Sequence, residues 1–380
     1  MKKIGLIAEY NPLHLGHIYQ IKKIKELYKD SIIILITNSC FTQRGNVQII
    51  NKWDKTKIAL DNNIDIVIEL PFIFATQSAD IFAEKSIEIL NHLKIDTLVF
   101  GSECNNIEYL TKIAKEQLYN NKYDELVKKY IDTGINYPTA LNKALKELNI
   151  NTTNQPNDLL GISYIKAILK NNYNITPITI KRTNEYHSKK IKGKIISATA
   201  IREKIKNKKK IKKYIPRKTE KYIDKNININ QYYEYLKYKI IETNNLEQYL
   251  TVDEGIQNRI KKEINNSKTW DELTNNIKTK RYTYNKINRM LIHILTSLTK
   301  EEAKNKEINY IRLLGLNSKG KNYINKIKKD IKVPIITNYK KNISNILDIE
   351  LRITKIYDLV KKDNLIEAEF KNKPIIKETK

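Results

Sequence analysis

The first twenty residues, MKKIGLIAEYNPLHLGHIYQ, constrain this chain more than any other stretch. Residues 3–8 form a short apolar run, residues 9–12 carry turn chemistry, and from His14 to Leu27 the apolar residues fall at helical spacing. The order reads as strand, tight loop, helix. In an open α/β sheet, the crevice beyond the carboxyl end of the first strand holds the ligand, and free backbone N–H groups at the next helix's start favour phosphate. His14 and His17 lie three apart, on one face of the opening turn, and Gly16 between them leaves room for a purine or phosphate. A His-x-x-His pair could equally be half a metal site or two histidines satisfied in a core, although no Cys, Asp or Glu stands close by at ligand spacing. Scarcity sharpens the nucleotide reading: the chain has 5 His in 380 residues, and two fall at this junction.

Pro12-Leu13-His14-Leu15-Gly16-His17 resembles the P-x-H-x-G-H signature of the nucleotidyltransferase superfamily, which includes class I aminoacyl-tRNA synthetases and cofactor adenylyltransferases. The preceding Ala8-Glu9-Tyr10-Asn11-Pro12 is similar more narrowly to the bacterial tRNA(Met) cytidine acetate ligase family.

At 380 residues the chain can bury a sizeable core and accommodate two domains. Its net charge of +28 is uneven, with +7 on residues 1–200 and +21 on residues 201–380. The second half is therefore the better polyanion surface, even after discounting a Lys-, Asn- and Ile-rich bias that runs throughout. Cys40 and Cys104 make neither a disulfide framework nor a zinc set, which suits a reducing cytosol. The leading apolar run is too short for a signal peptide, and no stretch approaches the ~20 apolar residues of a membrane helix. A soluble, cytoplasmic protein is expected.

Further strands are expected at residues 31–37, 64–70, 96–100 and 176–180, each a β-branched or apolar run. Helix-periodic residues 105–149 read as an insertion beside the sheet. Asn157 or Asp158 is a natural N-cap for the helix that follows Pro156. Beyond a Lys-rich connector at 204–213, apolar helical patterns alternate with charged turns. Residues 281–298 give a helix with one apolar face and a cationic face carrying Arg281, Lys286, Arg289 and His293, and residues 361–380 read as a frayed tail. The expected architecture is α/β: a Rossmann-like parallel-sheet nucleotidyltransferase domain at 1–205, then a mainly α-helical basic domain at 206–380.

Other motifs add to the resemblance, namely Gln43-Arg44-Gly45, Glu69-Leu70-Pro71-Phe72, Phe100-Gly101-Ser102-Glu103, Pro156-Asn157-Asp158, Ser197-Ala198-Thr199-Ala200-Ile201-Arg202 and Leu314-Gly315-Leu316-Asn317. It implies an ATP-dependent ligase that activates acetate as acetyl-adenylate and transfers the acetyl group to the wobble cytidine of elongator tRNA(Met). His14 and His17 would be catalytic. ATP would be held by Ile7, Ala8, Glu9, Tyr10, Asn11, Pro12, Leu13, His14, Leu15, Gly16, His17, Ile18, Tyr19 and Gln20. Gly101, Asn157, Arg182, Ser197, Thr199 and Arg202 would complete that site. Arg182, with Tyr186-His187 following it, suits a triphosphate because a guanidinium donates two parallel bonds. Mg²⁺ is expected on the phosphates, with no protein residue assigned to a metal. Arg44, Arg281, Lys286 and Arg289 are candidates for tRNA contact, and no membrane or protein partner is implied. Two rival readings share the pocket: a cofactor-type adenylyltransferase acting on a phosphorylated small molecule, and a non-catalytic RNA-binding module.

Overall fold

The structure, a computed structural model, describes residues 1–182, 195–304, 307–341 and 343–378. Tyr186 and His187 lie outside the described residues. The strands β1 (Lys2–Ile7), β2 (Ser31–Thr37), β3 (Ile66–Glu69), β4 (Thr97–Ser102) and β5 (Thr176–Lys181) run parallel. They confirm the five expected strands, with bounds shifted by one or two residues. Between them lie α1 (Leu15–Leu27), α2 (Lys52–Asp61), α3 (Phe72–Ala75) and α4 (Ala79–His92). The insertion before β5 is helical as expected, made of α5 (Ile107–Tyr119), α6 (Asn121–Asp132) and α7 (Tyr137–Glu147), followed by α8 (Pro156–Lys170). After β5 come α9 (Ala198–Lys206), then α10 (Tyr233–Glu242), α11 (Ile256–Glu263), α12 (Trp270–Ile277) and α13 (Tyr284–Leu295).

Residue chemistry explains the layering. SIIILIT in β2 is buried at every position, as a central parallel strand covered by helices on both faces must be. Helix α8 lies so close on β4 that a Cβ at Gly161 would fall 2.4 Å from the Phe100 ring. Among the parallel strands the order is β5-β4-β1-β2-β3, so the winding reverses between β1 and β4. That reversal opens a crevice at the carboxyl ends, where doubly wound sheets take their ligands.

The expected break at 205/206 does not divide the sheet. Residues 206–310 are mainly helical, but β6 (Ile311–Asn317) then returns to pair antiparallel with β3, and β7 (Ile335–Ile336) and β8 (Ile375–Lys377) pair parallel with β6. The 361–380 stretch is likewise no frayed tail, since it carries β8 and α16 (Leu365–Lys371), preceded by α14 (Ser318–Ile327) and α15 (Asn345–Lys361). Arg312 hid β6 from a pattern reading. A strand buried at all seven positions is not expected to contain an arginine, yet Arg312 is fully buried and paired to Glu369.

That pair belongs to a buried ionic cluster. The Lys52 ammonium lies 2.7 Å from Glu69 and 2.5 Å from Glu369, joining α2, β3 and α16. Burial pulls the Lys52 pKa down, but Glu369 and Glu69 more than restore it, so it stands above its ordinary value. Beside it, Glu350 of α15 accepts from the Phe72 N–H at the start of α3 and from the Ser39 hydroxyl. Burial, then Glu69, pushes the Glu350 pKa up to about 8.

His293 corrects a second expectation. It does not share a cationic face with Arg289 but is fully buried, its Nε2 2.8 Å from the Thr76 carbonyl and its Nδ1 3.0 Å from the Thr251 hydroxyl. Burial lowers its pKa to about 4, so the ring is neutral: Nε2–H donates to Thr76 and Nδ1 accepts from Thr251. It fastens α13 to the segment that follows α3. No helix among the described residues is long and apolar enough to cross a membrane.

The ionic cluster makes a stability prediction. Replacing Lys52 with Met removes the cation from between two buried carboxylates and should destabilise the protein by about 3–5 kcal/mol. Denaturant titration would read this, and a loss under 1 kcal/mol would mean that the cluster does not hold the returning strands.

Candidate active site

The site begins with how α1 is capped. His14 is the N-cap, with extended backbone at φ −136°. Its Nδ1 accepts from the Gly16 N–H at 3.0 Å, and the His17 Nδ1 accepts in return from the His14 N–H at 3.2 Å. This is a capping box built from two imidazoles, stacked with ring centroids 3.8 Å apart. Since both Nδ1 atoms accept, neither is protonated, and in a neutral imidazole the proton then sits on Nε2. Burial and the neighbouring Arg182 and Arg202 lower the His14 pKa to about 3, and burial, then His14 and Arg182, lower that of His17. Both rings are therefore neutral donors. Gly16 makes room for this: a Cβ there would lie 2.8 Å from His14 Cε1.

Both imidazoles line an open cleft of about 450 Å³ at the β1–β4 reversal. Gly16, Tyr19, Gln20, Gly101, Arg182 and Ser197 join them in the lining, so the cleft gathers expected residues from segments some 180 residues apart. Lys181, Ile180, Ile195 and Ile196 also line it, and no sequence motif singled them out. Their signal was only their place beside Arg182 and Ser197.

Other expected residues stand behind the lining. Tyr10, Asn11, Pro12 and Leu13 are buried. Asn11 donates to the Val47 carbonyl and accepts from the Ile49 N–H, while Glu9 accepts from Asn38 and from the Gln43 N–H. These bonds stitch the first active-site loop to the second. Ile7, Ala8, Leu15 and Ile18 are half-buried and also outside the lining. Arg202 is held within the protein, donating to the Asn11 carbonyl at 2.6 Å and to Thr199 at 3.2 Å. It clips α9, which is N-capped by Ser197, onto the loop before α1.

Neither Asn157 nor Asp158 is the N-cap of α8. Gln155 holds that position without a side-chain bond, because Glu103 reaches across from the end of β4 to accept from the Asp158 N–H at 3.0 Å. Asp158 is fully buried and accepts from Ser102, Thr153 and the Glu103 N–H. Asn157 donates to Glu103 and lies 3.5 Å from Arg182 Nη1. Glu103 is thus the residue that sequence reasoning noticed but left without a role. Arg182 rests over Gly101 and pairs with Glu103 at 3.8 Å, but its buried Nε has no hydrogen-bond partner among the described residues. A guanidinium with an orphan donor beside a cleft is chemically ready for an anion.

The tRNA candidates are spread along one flank. Arg44 is on the second loop, Lys286 and Arg289 are on α13, and Arg281 is exposed just before it, 3.8 Å from Glu254. The Lys286 ammonium lies 4.6 Å from the Tyr282 ring centroid.

Two outcomes follow from the capping geometry. Gly16→Ala should displace the His14 ring and lower the turnover of whatever reaction the cleft supports at least tenfold, with thermal midpoint almost unchanged; normal turnover would sink the steric argument. For stability, His14 and His293 have native pKa values of about 3 and about 4, below the ~6.5 of an unfolded histidine. The unfolded chain then binds more protons in that window, so stability is complete above pH ~6.5 and falls as pH is lowered towards 4. Each ring should cost about 1–2 kcal/mol at pH 5, measurable as a lower denaturant midpoint than at pH 7.

Comparison with known proteins agrees with this geometry. A family model described as HIGH Nucleotidyl Transferase matches residues 1–373. The tRNA(Met) cytidine acetate ligase of Clostridium novyi is 38% identical, with 99% of each chain covered, and that of a Geobacillus strain is 39% identical over 89% of each. Thermotoga maritima TmcAL superposes with a TM-score of 0.91 in its apo form and 0.89 in its form bound to alpha-thio ATP, at 26% and 27% identity and full coverage of both chains. The chain belongs to the HIGH nucleotidyltransferase family and, within it, to the tRNA(Met) cytidine acetate ligases.

Proposed function

We propose that this chain joins acetate to the wobble cytidine of elongator tRNA(Met) in two steps on ATP. An acetate oxygen attacks the α-phosphorus, the bond to the β-phosphate breaks, and pyrophosphate leaves with acetyl-adenylate formed. The cytidine N4 amine then attacks the acetyl carbonyl, AMP leaves, and the amine gives up a proton. Its lone pair is delocalised into the ring, which is why a mixed anhydride is needed. The relatives' names support this reading, and so does the bound nucleotide of the Thermotoga protein.

The observation that carries it is the pair of neutral, stacked imidazoles at the cleft. Their Nε2–H groups supply two preorganised donors for the oxygens that gain charge at the transferring phosphorus, and being uncharged they need no counter-ion. Arg182 offsets the repulsion between an attacking carboxylate and a triphosphate. Mg²⁺ would travel on the nucleotide's own phosphates: among the described residues no group of three or more His, Cys, Asp or Glu could hold a metal, and no step above depends on one. Two cysteines without a disulfide fit a cytoplasmic setting.

The test is pyrophosphate release from ATP with and without acetate, together with acetylcytidine formation on added tRNA. Release that ignores acetate would end the ligase reading. His17→Asn should lower acetate-dependent release by about 10²–10³-fold, the usual loss for one preorganised donor; an unchanged rate would remove the imidazoles from the chemistry.

A further inference from the structure

The second active-site loop and helix α13 meet at a seam with an unusual charge arrangement. The loop turns tightly, with the Gly45 N–H donating to the Thr42 carbonyl at 3.0 Å and Gly45 at φ +76°. It presses directly on α13, where a Cβ at Gly45 would lie 2.5 Å from the Asn288 carbonyl carbon and 2.6 Å from the Arg289 nitrogen. Only glycine allows this approach. The contact fixes Arg44, the residue before Gly45, against Arg289 on the helix.

Arg44 also stands near Arg182 and Arg202, as the mutual depression of these charges shows, with Glu9 and Glu103 as the acidic groups in reach. Both carboxylates already accept backbone N–H bonds. Arg289 has no such company: among the described residues no carboxylate faces it, and the charge that acts on it is Arg44. Two guanidinium groups pressed together without an acid between them cost free energy unless an anion joins them. Neither lines the cleft, and Arg289 comes from the strongly basic half, with Lys286 one turn before it on α13.

The geometry points to the Arg44–Arg289 seam as the seat of an RNA backbone phosphate next to the acceptor base, which makes Arg289 a positioning residue that delivers the strand to the cleft. This rests on the tRNA reading above. The phosphate would accept from both guanidinium groups, bridging the sheet and the helical segment as the base enters.

The test uses the full chain carrying Arg289→Gln or Arg289→Lys. One assay is acetate-dependent pyrophosphate–ATP exchange without tRNA, and the other is the KM for an unmodified tRNA(Met) transcript at several salt concentrations. Exchange should stay within about twofold of wild type, which also certifies the fold. For Arg289→Gln the KM should rise about tenfold and the slope of log affinity against log salt should shrink by about 0.7–0.9, with part of the loss restored in Arg289→Lys. Unchanged KM and slope would overturn the assignment, as would a parallel fall in exchange, which would give Arg289 to the nucleotide. A wild-type chain that exchanges pyrophosphate but makes no acetylcytidine would overturn the tRNA reading itself, and this inference with it.

Discussion

The site depends on a condition that two rings impose on each other. A histidine can cap a helix only while its Nδ1 is unprotonated, and here each of His14 and His17 accepts an N–H near the other's position in the opening turn. Capping and neutrality are therefore one requirement. Protonating either ring would break a cap and place a cation beside Arg182 and Arg202, so burial and electrostatics enforce what the hydrogen bonds demand. The geometry then turns both Nε2–H groups into donors without any further group to orient them. The loop in front of the helix is held correspondingly firmly: Asn11 binds the second loop on one side while its carbonyl takes the Arg202 guanidinium on the other.

Support for that loop reaches it through the chain's last third. Strand β6 adds to β3, and the Lys52, Glu69, Glu369 and Arg312 cluster anchors α2 and α16 beneath it. Glu350 carries the connection onward by taking the first N–H of α3 and the hydroxyl of Ser39, which begins the second loop. At the other end of α3 the Thr76 carbonyl takes His293, and Gln43 donates to the Gln77 carbonyl. The helical segment is thus hydrogen-bonded to the same few residues that position Arg44. A segment described by composition alone as a basic appendage is part of the scaffold of the cleft.

How much of this could be read from the chain follows from where its information is local. Strands such as SIIILIT declare themselves because burial on both faces leaves no polar position, and the His-x-x-His turn declares itself through rarity. The loops of the cleft fell in the expected order because a doubly wound sheet brings the ends of successive strands together. What was not legible depended on partners distant in sequence. Arg312 and Lys52 look like surface residues until Glu369, more than fifty residues on, is placed against them. His293 reads as cationic until the Thr76 carbonyl closes over it. Glu103 caps a helix that begins over fifty residues later, so no local rule could have preferred it to Asn157 or Asp158.

Charge supplies the last step. A net charge of +28 disperses over most of a surface at little cost, but Arg44, Arg182, Arg202 and Arg289 are each largely withdrawn from water. Desolvated cations repel more strongly than exposed ones, so a fold selected for stability alone would disperse them or match each with a carboxylate. Here the two nearby carboxylates are engaged with backbone N–H groups, which fixes loop geometry and leaves the positive field uncancelled. The arrangement is intelligible if the missing negative charge arrives with the substrates. A triphosphate in the cleft and a polyanionic strand along the seam would each find a field already assembled, and the strain of holding it in the free protein would return as binding energy when they dock.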